Sequence, residues 1–320
     1  MGLFNGYVKP GKGVSKKDVA ENFGFKRFFT TFGDKFWRIV TLNLLFFLVN
    51  CPIFGLFAYL AGVGGTPYTA FSNVGGQTLH GVMLHGNDPS LNTLRSVIGV
   101  QIPQSYPSAW TYALLGIGLL TLLTFGISTA AMTYIHRNFI RREPVDLAED
   151  FFHCIKRNFK QTLLLGMVDA GFLFLIAFDL VSYVFSNQNF GMLLLLYLTV
   201  FLSAIYLMMR PYMYLMSVTF DLKIPKILKN AWILAVSGIG RNLLCSFLAL
   251  LVLVLNVAVF IFIPSLGVGM LFIFTISIAW FFQVYGAWPV VKRHMIDPFY
   301  EEVTVSGNES KEEAVFEDRG

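Results

Sequence analysis

Six stretches of this chain are long and apolar enough to cross a bilayer, and its cationic side chains gather in alternate gaps between them. The runs cover about 37–61, 109–135, 162–185, 190–214, 242–264 and 267–290. A hydrocarbon core of ~30 Å takes about 20 helical residues, so each run suffices. An isolated strand in lipid would leave its backbone groups unsatisfied, so the spans are predicted to be helices. The expected fold is all-α: a polytopic membrane helix bundle of six transmembrane helices in one domain, 1–294, followed by an acidic, disordered tail over 295–320.

The cations set the orientation. Lys9–Arg38 holds eight Lys and Arg, Arg137–Lys160 six, Lys223–Arg241 four, and the segment after the last span another four. Only Arg95, in the loop 62–108, and Arg210, within the fourth run, fall elsewhere. Lys and Arg accumulate on the cytoplasmic side of inserted helices, so both termini are expected in the cytoplasm. Trp37 and Trp288 fit an inner aromatic belt, and Trp110 and Tyr183 an outer one. With 55% hydrophobic and 13% charged residues, the chain lies far from the ~25% charge of soluble proteins. The pI near 9.0 is assigned to these anchoring charges rather than to a nucleic-acid surface. Met1–Lys17 lacks the pattern of a removable signal peptide, and Gly6 stands where myristoylation requires Ser or Thr.

A cytoplasmic amphipathic stretch precedes each odd-numbered span. Phe25, Phe28, Phe29, Phe32 and Phe36 share one helical face, as do Ala148, Phe151, Phe152, Ile155 and Phe159, and Ile224, Ile227, Leu228 and Ala231. Each stretch leads to a cation at a span start: Arg38, Lys160 or Arg241. The chain therefore reads as a threefold repeat of an interfacial helix and a two-span hairpin, with the loop 62–108 inserted into the first copy. The competing reading is that any hairpin membrane protein places cations before its inward-facing spans. The face marked by Phe28, Phe32, Phe151, Phe152, Ile155 and Leu228 is a candidate surface for a partner or for the membrane itself.

Charges inside a membrane are the usual pointers to function. Asp169 and Asp179 in the third span and Arg210 in the fourth are the candidates. Asp169 and Arg210 are expected at similar depth, where they pair across two helices, or Arg210 snorkels to the inner surface. Asp179 is expected to reach water at the outer end. Asn43, Asn50, Gln161 and Asn256 suit interhelical hydrogen bonding. His80, His85 and Asp88 are too loosely spaced to argue for a metal, and Cys51, Cys154 and Cys245 are too scattered for a disulfide or zinc framework. No P-loop, GxSxG, HExxH or CxxC motif occurs, so neither an enzyme nor a cofactor is expected.

The segment Thr124–Tyr134 (TFGISTAAMTY), running on to Asn158–Gln161 (NFKQ), resembles the YesL-like family of bacterial membrane proteins, a domain of unknown function. Phe36-Trp37-Arg38, Leu42-Asn43-Leu44-Leu45, Cys51-Pro52 and Leu228-Lys229-Asn230-Ala231 share the likeness, which extends over most of 25–293. Relative to that family, Ile53–Leu123 reads as an insertion. The resemblance implies a bacterial plasma-membrane location and an association with carbohydrate uptake, and it supplies no catalytic residues. Two functions stay open. One is an accessory or regulatory membrane protein whose partners are the lipid bilayer and a carbohydrate importer complex. The other is a transporter or permease for a small neutral solute such as a sugar, with Asp169 and Arg210 along its path.

Overall fold

The computed structural model describes residues 23–63, 66–68, 104–106, 108–185 and 189–297. Most of the loop 62–108, including His80, His85, Asp88 and Arg95, and nearly all of the tail 295–320 lie outside the described residues. The chain is a helical membrane bundle. Its helices are α1 (Phe25–Val49), α2 (Ile53–Leu60), α3 (Ala109–Leu119), α4 (Thr121–Arg141), α5 (Leu147–Phe185) and α6 (Phe190–Thr219). They continue with α7 (Ile224–Ser237), α8 (Ile239–Phe262), α9 (Pro264–Met270) and α10 (Ile276–Val291). Two π-helical turns, Leu271–Thr275 and Lys292–Ile296, flank α10. Between α2 and α3, Thr66–Tyr68 pairs antiparallel with Gln104–Tyr106, a short ladder that the all-helical expectation does not contain.

Five of the spans stand alone by length and apolarity: Ala109–Arg141, Leu147–Tyr183, Phe190–Thr219, Ile239–Phe262 and Pro264–Ile296. The first expected span is not one rod. α1 and α2 meet at a 66° bend, and the count reaches six when that pair is taken as one span. The cause is local: Pro52 has no N–H to continue the ladder, and the backbone tightens into turns from Ile53 N to Asn50 O and from Phe54 N to Cys51 O. The amphipathic stretches also differ from separate interfacial helices. The first two run without a break into their spans as parts of α1 and α5, and only the third is set apart, at Gly238.

The chain divides into two compact units, with boundaries inside α1, α4, α5 and α6. The first comprises 1–43, 132–151 and 204–320, and the second 44–131 and 152–203. In the first unit Ile39, Leu42, Met132, Ile135, Phe139, Phe151, Tyr212, Tyr214 and Phe281 are buried. Trp288 is buried here as well, beneath the Arg141 guanidinium at 5.6 Å, so it is a core residue and does not belong to an interfacial belt. Gly238 is required by close approach: a Cβ there would lie 2.7 Å from Val290 Cγ2. Asn242 closes the break, donating to Ala235 O at the end of α7 and accepting from the Tyr212 hydroxyl at 2.6 Å.

In the second unit α4 and α5 cross at a pair of glycines. A Cβ on Gly126 would sit 2.3 Å from the Gly166 Cα, so the two backbones touch directly. Asn50 ties α1 to α4, donating to Ser128 Oγ at 2.6 Å and accepting from Thr124 Oγ1 at 3.1 Å. α3 begins at a capping box formed by Ser108 and Thr111. Outward-facing Phe174, Phe178, Tyr197 and Phe201 remain exposed, as a surface solvated by lipid tails allows.

Candidate functional site

A dense buried polar arrangement lies in the first unit, around the π turn that starts the last long helix. A π turn shifts the hydrogen-bond ladder by one residue and strands backbone groups that an α-helix would pair. Asn43, fully buried on α1, meets these groups. Its Nδ2 donates to Leu271 O at 3.0 Å and Phe272 O at 2.5 Å, and its Oδ1 accepts from Ser277 N at 2.8 Å. The Thr275 hydroxyl adds a bond to Met270 O at 3.0 Å. One amide therefore satisfies three main-chain groups of a distant helix.

The seam continues along α4. Ser277 Oγ lies 3.2 Å from His136 Nε2, and Trp280 Nε1 donates to Thr133 Oγ1 at 2.8 Å. His136 is completely buried against Phe139 and Phe281, and its Nδ1 has no hydrogen-bond partner. Whichever ring nitrogen carries the proton, one of the two stays unpaired. The serine–histidine contact superficially resembles a nucleophile and its base. Neither side chain reaches solvent, and Ser277 is committed to the packing between α4 and α10, so the pair has no access for a substrate. Nearby, Arg137 closes the end of α6 by donating to Val218 O and Thr219 Oγ1 at 3.2 and 3.0 Å.

The charged candidates are each placed within their own unit. Arg210 belongs to the first, with its guanidinium 5.2 Å from the Trp280 ring. Asp169 belongs to the second, where it is fully buried. Asp179 is exposed and accepts a short hydrogen bond from Thr199 Oγ1, joining α5 to α6. Asn256 acts between helices as well, donating to Gly267 O at 3.0 Å where α8 and α9 touch.

The candidate partner face is split by burial. Phe28 and Phe151 are buried, Phe32, Ile155 and Leu228 are half-buried, and Phe152 is exposed. Phe28 is packed against Phe281, Phe282 and Tyr285, with ring centroids 4.8 to 5.6 Å apart. The amphipathic period in α1 therefore serves internal packing at Phe28, which leaves Phe25 and Phe29 as the outward residues. Sequence reasoning does not single out His136, Thr133 or Ser277. The only signal is a histidine beside the cation Arg137 at the end of an apolar run.

Residues 108–180, from the start of α3 into α5, match the model of a family described as "Protein of unknown function, DUF624". The match begins ahead of Thr124, so the end of the stretch read as an insertion lies inside the matched region. No curated protein and no solved structure matches the chain.

Proposed function

We propose that the chain is an accessory or regulatory protein of the bacterial plasma membrane, with both termini in the cytoplasm, that serves carbohydrate uptake by contacting an importer. Kinship with YesL-like proteins and a role without enzymatic chemistry are parts of the same proposal. One observation carries it: four buried polar side chains of the first unit are spent on the protein's own helices. Asn43 is used up on the π turn, Asn242 on the end of α7, Arg137 on the end of α6 and Trp280 on Thr133. A solute path needs groups with hydrogen-bonding capacity to spare, and these four have little. Exposed Phe152, beside the cations Lys156 and Arg157 on α5, leaves an amphipathic surface for a partner. The test is mild crosslinking in the native membrane followed by purification. Reproducible recovery of a solute-importer subunit, reduced by Phe152→Glu, is the expected result. Recovery of no transport component would end this reading.

A second reading, a permease for a neutral solute, is favoured by the fully buried carboxylate of Asp169 and by the bend between α1 and α2. Broken helices and intramembrane acids recur on transport paths. Reconstituted vesicles that take up a sugar, and lose uptake with Asp169→Asn or Arg210→Gln while still folded, would establish it. Vesicles impermeable to every tested sugar would remove it.

A further inference from the structure

A cavity of about 350 Å³ lies in the first unit, where the start of α1 meets α8 and α10. Its walls are almost wholly apolar: Phe25, Phe28, Phe29, Leu244, Leu248 and Phe282 contribute most of them. Phe25, Phe29 and Leu244 are also exposed on the outer surface, so the cavity borders the face that lipid covers. Among the described residues, the one cation in the lining is Arg241. Its Nη2 donates to Phe23 O at 2.9 Å and Tyr285 O at 3.3 Å, and its Nε is buried without a hydrogen-bond partner. Arg27 stands close by, with its guanidinium 4.6 Å from the Phe23 ring. Among the described residues neither guanidinium is paired with a carboxylate.

We propose that this cavity holds one anionic glycerophospholipid, its phosphate at Arg241 and one acyl chain along Leu244, Leu248 and Phe282. The volume lies at the small end of the range for ligand sites, about 300 to 1,000 Å³, and suits a length of hydrocarbon chain rather than a whole amphiphile. Among the described residues the lining offers no set of polar groups for a sugar's hydroxyls. It does offer a cation beside an apolar slot, which is the complement of a phosphodiester on an acyl chain. Arg241 also sets the selectivity: its charge repels the ammonium of a zwitterionic headgroup and tolerates a net negative one. Arg241 belongs to the cationic band assigned to the inner leaflet, where anionic lipid is abundant.

The test uses the full-length protein in mild detergent with equal phosphatidylglycerol and phosphatidylethanolamine, read by native mass spectrometry. Wild type retains phosphatidylglycerol about fivefold over phosphatidylethanolamine, the factor expected from one cation at a membrane surface. Arg241→Gln abolishes the preference and Arg241→Lys keeps it. Leu244→Trp fills the slot, leaves Arg241 in place and reduces all bound lipid. Thermal unfolding midpoints verify that the variants fold, and the lysine and tryptophan variants keep the test decisive should the glutamine variant not fold. Equal retention of the two lipids by wild type would overturn the proposal, as would unchanged lipid binding in Leu244→Trp. A photocrosslinker at Phe29 that captures residues 1–22 or a second copy of the chain, in place of lipid, would overturn it too.

Discussion

Replacing Asn43 with leucine is the sharpest test of how the first unit holds together. The side chain is fully buried and forms three hydrogen bonds, all to main-chain groups of the π turn and the helix that follows it. Hydrogen bonds between membrane helices are worth about 0.6 kcal/mol on average and up to about 1.7 kcal/mol. Three of them give a loss of about 2 to 5 kcal/mol. Leucine matches asparagine closely in size, so little of the loss comes from a cavity, and a hydrophobic replacement in lipid would by itself be neutral. The penalty arises because Leu271 O, Phe272 O and Ser277 N are left in a site without water. Asn43→Asp separates the components, since it retains an acceptor for Ser277 N and removes both donors to the carbonyls. Its loss should equal or exceed that of the leucine variant, because a carboxylate then faces two carbonyl oxygens. Reversible unfolding in detergent–lipid mixtures, by denaturing-surfactant titration or steric trapping, measures both. An Asn43→Leu variant within about 0.5 kcal/mol of wild type would show that the π turn satisfies its own backbone, and the asparagine would lose its role in holding α1 against the last long helix.

Four further outcomes follow from the structure. Gly126→Ala should cost about 1 to 3 kcal/mol, because the new methyl group meets backbone atoms of Gly166 and Thr162 that cannot rotate away. Gly116→Ala, with nothing within 4 Å, should be neutral or slightly stabilising in the same unfolding assay. Trp280→Phe and Thr133→Val should each lose about 1 kcal/mol, and their double-mutant cycle should show that most of the loss is shared, since one 2.8 Å bond links them. Glu143→Gln breaks the 2.7 Å pair with Arg141, yet should change stability by less than about 0.5 kcal/mol, because both side chains are more than a third exposed and water screens them.

Parts of this molecule are legible in the order of its residues and parts are not. Periodicity locates the long helices to within a few residues at most ends, and the expectation that Asn43, Asn50 and Asn256 bond between helices agrees with the structure. Their partners are not legible. Nothing in Leu271–Thr275 announces a π turn, because four of its five side chains are ordinary apolar ones and the asparagine that meets its backbone, Asn43, is more than 220 residues away. Trp288 misleads for a similar reason: a tryptophan near a span end looks interfacial until α4 brings Arg141 over its ring. Cys51-Pro52 lies inside the first apolar run, near its end, but its letters do not disclose the 66° bend.

The solvent preference of side chains acts residue by residue, so hydropathy and the distribution of Lys and Arg are enough, without coordinates, to specify a helical membrane protein. Which polar atom meets which depends on how helices far apart in the chain are brought together, and that is a property of packing. The π turn held by Asn43, the glycine crossing of α4 and α5, and the cavity beside Arg241 all arise at such encounters. Only the tertiary structure decided them, because no local run of residues contains both sides of the contact.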